Sequence, residues 1–399
     1  MLESDTMNIE KVRQRLLRDI EKLKAPGGYL KAGYPRYNTL FGRDSLISAW
    51  QMLKVDPSIA RATLQILAKY QGDVADPRSE EEPGKILHEY RFDSEEQAKL
   101  PEWDFPYYGS VDSTPLFIML TREYFQRTND RLLLSKIWSN TKAAFKWITD
   151  YGDADGDNYV EYQKKNPHGL FHQGWRDGVK DHLKIKPPVA IVEVQGYVFA
   201  AFESVISLAE DLGESSISKA ALVRAETLKS KFNRDFWMER EEYFALALDG
   251  EKKQRKAVTS NPGHLFFTGI VSEDKVRPLI SRLFQADLWT PYGLRTHSSK
   301  EPDFDPYSYH CGTVWPHDNW IAYKGLKALG FSDHANQIKR ALLRAFKELG
   351  KIPELYAVVK GKIVDLSGSS VKGVSANPVQ AWASAGLLEM LWEDSSSIL

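Results

Sequence analysis

STPLFIMLTREYFQRTNDRLLLSKIWSNTKAAFKWITD, Ser113 to Asp150, is the stretch that decides the fold. Ser113 and Thr114 place a capping hydroxyl in front of Pro115, a residue suited to a first helical turn. Apolar residues then recur at helical spacing to Thr128 and again from Arg131 to Asp150. Two helices, 113 to 128 and 131 to 150, are parted by a tight turn, which favours an antiparallel pair. Beyond Asp150 the periodicity stops, and a long Gly- and Asp-containing segment runs to the next apolar stretch.

The same unit repeats in both directions. Periodicity predicts twelve helices, at 7 to 24, 43 to 54, 57 to 71, 113 to 128, 131 to 150, 190 to 212, 215 to 236, 262 to 269, 272 to 285, 312 to 330, 332 to 348 and 377 to 392. Val12, Leu16, Ile20 and Leu23 form the apolar stripe of the first, which stops before Pro26-Gly27-Gly28. Asn377-Pro378 starts the last. Connections after the second, fourth, sixth, eighth and tenth helices are short, and those after the first, third, fifth, seventh, ninth and eleventh are long. If neighbours run antiparallel, every long connection lies at the same end. Six hairpins of this kind close into an all-α (α/α)6 barrel, expected to be one catalytic domain over residues 1–399. An open solenoid of helix pairs would show a repeating motif, and none is seen.

Composition narrows the function. Lys plus Arg number 53 against 54 Asp plus Glu, so no basic stripe awaits a phosphate backbone and neither nucleic acid nor an anionic membrane is an expected partner. Cys311 is the only cysteine, which excludes an internal disulfide and a cysteine-based zinc cluster and suits the cytoplasm. No hydrophobic segment reaches about 18 residues, and Met1 to Leu17 lacks the apolar core of a secretory signal. Aromatic residues make up 12% of the chain, with 11 Trp, concentrated in Gly- and Pro-containing segments. A carbohydrate site mixes Trp and Tyr platforms with Asp, Glu, Arg and His, although such rings also seal cores.

The long connections carry the candidate site. Arg43-Asp44, at the mouth of a helix, can donate to one sugar hydroxyl and accept from another. Tyr108 and Asp112 stand beside the start at Ser113 and are placed to touch ligand, whereas the acidic run from Glu80 reads as a solvated face. Asp153, Asp155 and Asp157 mimic the start of a calcium loop, but Asn158 and Lys164 replace the glycine and glutamate such a loop requires, so a polar turn is expected. In Trp175-Arg176-Asp177 a carboxyl beside Trp and between glycines is partly desolvated, which raises its pKa as a general acid requires. His310 and His317, flanking Trp315, lack the spacing of a helix-borne zinc pair. Hydrogen bonds to sugar hydroxyls suit them better, and no metal is expected. Glu354 sits between Pro353 and Leu355.

Taken together FGRDSLISA, EEEPGKILHE, YYGSVDSTPLF, GLFHQGWRDG, VEVQGY, SNPGH, SYHCGTVWPHD and IPELY resemble the catalytic domain of the amylo-α-1,6-glucosidases, the glycogen-debranching enzyme family. More distantly they resemble glucoamylases and other (α/α)6 glucosidases. The resemblance implies an inverting, exo-acting α-glucosidase with no cofactor, whose partner is a carbohydrate. It assigns Asp177 as general acid, Glu354 as general base, and Arg43-Asp44 as the pair that binds the terminal glucose. Longer relatives carry an N-terminal β-domain, which is not expected within residues 1–399, and shorter relatives hydrolyse glucoamylase-type, trehalose-type or glycerate-linked glucosides. Two other classes fit the same barrel: a sugar epimerase using His310 and His317 for proton transfer, and a glucan-binding module without turnover.

Overall fold

A computed structural model describes residues 8–368 and 370–393. The helices are α1 (Ile9–Leu23), α2 (Gly42–Met52), α3 (Pro57–Lys69), α4 (Ser94–Gln97), α5 (Ser113–Thr128), α6 (Arg131–Asp150), α7 (Val192–Asp211), α8 (Ser215–Asp235), α9 (Glu273–Leu283), α10 (Pro316–Ala328), α11 (Ser332–Leu349) and α12 (Ala381–Glu393). A 3-10 turn, Asn261–Leu265, lies between α8 and α9. Met7, where the first helix is expected to start, lies outside the described residues.

α2, α5, α7, the 3-10 turn, α10 and α12 pack each on the next and the last on the first, which closes an inner ring. α1, α3, α6, α8, α9 and α11 form the outer layer. Burial follows ring position. Every residue of α2 is buried, as a helix walled in on all sides must be. α11 buries a single stripe containing Ala335, Ile338, Leu342 and Phe346. Contrary to the expectation that no segment reaches that length, Val192–Asp211 is long and apolar enough to cross a membrane by composition. It is α7 of the inner ring, and its apolar faces are covered by α5, α8 and the 3-10 turn.

Three helix boundaries differ from expectation for one reason. Ala190–Ile191 pairs with Ala247–Leu248, Val314 bridges Tyr356, and Val379–Gln380 pairs with Gly33–Tyr34. In each case the residues leading into an inner helix are extended and bonded to another loop, so α7, α10 and α12 begin later than periodicity suggests. The expected helix at 262 to 269 is shortened to the 3-10 turn Asn261–Leu265, which contains Pro262 and ends before Gly269, whose φ of 81° is left-handed. α4 is an additional single turn in the second long loop, capped by Asp93.

The six long loops share one end of the barrel and are stitched to one another around it. The last joins the first through Val379–Gln380 and Gly33–Tyr34, and the first joins the second through Leu40–Phe41 and Glu89–Tyr90. Val111 N–H donates to the Gln173 carbonyl, linking second to third. Ala190–Ile191 with Ala247–Leu248, Thr259 with His297, and Val314 with Tyr356 complete the circuit. Each junction contributes little alone, about 0.5–1.5 kcal/mol per hydrogen bond. Their joint effect is to fix the loop residues relative to the inner-helix N-termini.

Candidate active site

Two walls of different make-up line one cavity in this loop layer. The first is built on α2. Phe41 is extended (φ −116°, ψ 136°), and Gly42 permits the close approach that follows, since a Cβ there would lie 2.1 Å from the Leu87 carbonyl oxygen. Arg43 and Asp44 therefore enter the first turn at the cavity floor. The Arg43 guanidinium donates to Asp112 (3.1 and 3.3 Å), to the Gly174 carbonyl (3.0 Å) and to Asp177 (2.6 Å). Asp44 lies 4.0 Å from the same group and accepts from Gln380 (3.1 Å).

Asp177 sits in a tight hairpin in which Phe171 N–H bonds the Gly178 carbonyl and Gly178 N–H bonds that of His172. Its side chain stays 28% exposed while Arg43 is 4% exposed. One guanidinium thus serves three carboxylates, leaving a surplus of negative charge in a site of low dielectric. Burial raises Asp177 above the ordinary carboxylate range, with Arg43 opposing the shift. Burial lifts Asp44 to about 7, again against Arg43. Asp44 is therefore the carboxyl of this wall that still holds a proton part of the time near neutral pH.

The second wall has no such cation. Glu354 follows Pro353 into the strand Tyr356–Val359 and is 2% exposed. Tyr309 O–H donates to one of its oxygens, and the Asn377 N–H to the other at 2.7 Å. Burial lifts Glu354 to about 6, while these donors hold it down. Tyr37 is pushed up to about 12 by burial and by the nearby charges of Glu354 and Asp177, so its hydroxyl lies in the field of both walls.

The cavity has a volume of about 170 Å³, small beside the roughly 300–1,000 Å³ of drug-sized ligand pockets. Arg43, Asp44, Trp175, Asp177, His310, Trp315 and Glu354 line it, as anticipated from sequence. Tyr108 does not, because its hydroxyl turns outward to the Tyr70 carbonyl (2.8 Å). Asp112 lies beneath Arg43. Arg176 points away, to His297 (2.9 Å) and Ser260 (3.3 Å). His317 is covered by Trp382, whose ring stacks on it at 3.7 Å.

The lining also contains Tyr37, Glu89, Trp103, Tyr309, Gln380 and Trp382, which sequence reasoning passed over. Gln380 and Trp382 stand at the start of an apolar helix and read as core. Tyr309 lies inside SYHCGTVWPHD, beside His310, and Tyr37 lies shortly before FGRDSLISA, so nearness to these motifs was the available signal.

Residues 37–370 match the family model described as the mannosylglycerate hydrolase MGH1-like glycoside hydrolase domain. The chain belongs to this family. It is a glycoside hydrolase, and the resemblance read from the sequence holds for the barrel and for that reaction class, though not for debranching enzymes in particular.

Solved structures share the hydrolase's fold. The GH63 mannosylglycerate hydrolase from Thermus thermophilus in complex with glucose superposes with a TM-score of 0.71 at 15% identity, covering 96% of this chain and 100% of that one. The same enzyme in complex with Tris and D-glycerate gives 0.69 at 14% identity, with 96% and 100% covered. A rhamnosidase from Klebsiella oxytoca with rhamnose bound gives 0.67 at 14%, covering 98% of this chain and 65% of that one. No curated protein matches the chain in sequence.

Two polar clusters of the hydrolase lie away from the cavity. Glu80 and Glu82, expected on a solvated face, are buried. Glu80 accepts from Gln173 Nε2 (2.5 Å) and Glu82 from Trp147 Nε1 (2.8 Å), so this acidic run braces the second loop against its neighbours. Asp153, Asp155 and Asp157 gather their carboxylates within 4.8 Å. Lys252 inserts its ammonium at 2.9 Å from Asp155 and 3.1 Å from Asp157, and Arg224 lies 3.2 Å from Asp153. Protein cations thus supply the positive charge, which accords with a polar turn.

Proposed function

We propose that this glycoside hydrolase is an inverting, exo-acting enzyme that removes one α-linked hexose from a small glycoside with an anionic leaving group, of the hexosylglycerate class. The observation that carries the reading is the pair of walls: one cavity, sized for a single sugar, lined both by a carboxyl cluster that shares the Arg43 guanidinium and by a carboxylate hydrogen-bonded to Tyr309 and the Asn377 N–H.

Asp177, open to the cavity, protonates the leaving oxygen. Glu354 takes a proton from a water that attacks the anomeric carbon from the opposite face, through an oxocarbenium-like transition state. Trp175, Trp315 and Trp382 offer flat apolar faces to the ring, and Asp44 and Gln380 offer hydrogen bonds to its hydroxyls. The family supports a glycerate-linked substrate, as do the Thermus enzyme's complexes with glucose and with D-glycerate. The small cavity favours such a substrate over a glucan chain.

The test is sugar release from α-mannosylglycerate, α-glucosylglycerate, maltose, isomaltose, trehalose and a limit dextrin, assayed side by side. The hexosylglycerates are expected to give the highest kcat/KM. Preferential glucose release from isomaltose or the limit dextrin would overturn the substrate assignment.

A further inference from the structure

Among the described residues the Asp177 carboxyl hydrogen-bonds Arg43 alone. The hairpin that carries it is closed at its base by three backbone bonds, from Phe171 and His172 to the Gly178 carbonyl and from Gly178 to that of His172. What this base rests on therefore decides where Asp177, one residue before Gly178, stands.

It rests on a row of three rings. His182 lies on the continuation of the hairpin and touches its base, since a Cβ at Gly178 would come 3.1 Å from His182 Cε1. The His182 ring stacks on His310, with centroids 5.1 Å apart and planes at 19°, and His310 stacks on Trp315 at 5.3 Å and 8°. Both are offset stacks of the favoured kind. Trp315 Nε1 donates to the Tyr309 carbonyl (2.8 Å), which anchors the row where α10 begins. On the outer side His172, bonded to Tyr162 (2.8 Å) and Asp181 (2.9 Å), packs edge-on to His182. The row ties the third long loop to the fifth.

Charge does not oppose it. Burial, with the His182 ring and the charges of Arg176 and Arg43, holds His310 far below the usual histidine range. Burial likewise brings His182 down to about 4. Two neutral imidazoles can stack where two imidazolium ions would repel. The Asp177 backbone lies close enough to His310 to act on its ring.

We propose that His310, held between Trp315 and His182, is a positioning residue for Asp177: the row seats the hairpin on the fifth long loop and sets where the carboxyl meets the leaving oxygen. The assignment rests on the reading of Asp177 as the general acid. His310 then acts through Asp177, in place of the direct sugar contact that the sequence suggests. His182, which does not line the cavity, shares the task.

The experiment separates a misplaced acid from a damaged fold. Kinetics are measured for the wild type, His182→Ala, His182→Phe, His310→Ala and Asp177→Asn, with circular dichroism to check folding. Each receives an α-hexosylglycerate and the α-fluoride of the same hexose, whose leaving group departs without protonation. Both alanine variants are expected to lower kcat on the glycerate by about 10²-fold, the scale of a displacement of about 1 Å, and to lose far less on the fluoride. His182→Phe keeps a flat ring in the row and should recover most of the loss. Adding His182→Ala to Asp177→Asn should cost nothing further on the glycerate, because the two changes act on one group.

Hydrogen exchange over residues 171–183 reads the hairpin itself, and should quicken in His182→Ala and return in His182→Phe. Equal losses on glycerate and fluoride in the histidine variants, a rise in KM alone, or unchanged exchange in both alanine variants would overturn the assignment. If exchange quickens but Asp177→Asn falls equally on both substrates, the row still seats the hairpin and the acid reading fails. If Asp177→Asn alone spares the fluoride, the acid reading stands and the role of the row falls.

Discussion

The wall that carries Asp177 and the wall that carries Glu354 present the same functional group in opposite settings. On the first, one guanidinium is divided among Asp112, Asp177 and Asp44, and burial raises Asp177 and lifts Asp44 to about 7 against it. On the second, a nearly inaccessible carboxylate is held by a phenol and a backbone N–H. The difference teaches that neighbours, more than residue type, separate an acid from a base in such a pair.

The largest expected effects come from removing either carboxyl. Glu354→Gln and Asp177→Asn are each expected to lower kcat on a hexosylglycerate by about 10²–10⁴-fold, the usual worth of a positioned acid or base. The walls separate when the leaving group is changed. An aryl or fluoride glycoside departs without protonation, so Asp177→Asn should recover most of its loss there and Glu354→Gln should not. Equal recovery in both variants would erase the distinction between the walls.

Arg43→Ala breaks the first wall as a structural unit. From sequence alone this position reads as a sugar contact whose loss leaves folding intact. The buried guanidinium instead compensates three carboxylates, and removing one partner of a buried ion pair costs about 3–5 kcal/mol. A clear fall in thermal midpoint is therefore expected along with lost activity. An unchanged midpoint would show that the carboxylates do not depend on Arg43.

The second wall has a pH signature in stability. Burial raises Glu354 from 4.5 to about 6 in the folded chain, so its contribution is fully present below about pH 4.5 and is lost as pH rises through 6. The difference amounts to about 2 kcal/mol. Glu354→Gln should accordingly be the more stable protein at pH 7 to 8, by denaturant titration, and should lose that advantage near pH 4. A variant less stable than wild type at pH 8 would contradict the raised value.

The smallest expected effect belongs to Tyr309→Phe. The Tyr309 hydroxyl hydrogen-bonds Glu354 and favours its ionised form, so its loss should move the acid limb of kcat/KM upward from about pH 6. A shift of roughly half to one pH unit corresponds to a net hydrogen bond. A limb that stays in place, with KM alone altered, would make Tyr309 a substrate contact and leave Glu354 positioned by Asn377.

The barrel was legible because its evidence in the sequence is local: periodicity marks each helix, and the alternation of short and long connections places every long loop at one end. What escaped were features made by distant pairings. The starts of α7, α10 and α12 moved because loops far apart in sequence bond to one another just before each helix. At the cavity, Asp177 stood out through Trp and Gly neighbours in its own motif, and Glu354 through the resemblance carried by IPELY. Gln380 and Trp382 were hidden in an apolar helix that reads as core. Tyr108 and Arg176 looked equally well placed by position, yet side-chain direction turned both away, and that direction is set by partners such as the Tyr70 carbonyl and His297.

The central claim is that Glu354 activates water on the face of the sugar opposite Asp177. Proton NMR of the first sugar released from an α-hexosylglycerate, read before mutarotation, tests it most directly. Direct attack by water inverts the anomeric carbon, so the β-anomer is expected first. If the α-anomer appears first, Glu354 cannot be the base for direct water attack, and the division of labour between the two walls must be abandoned.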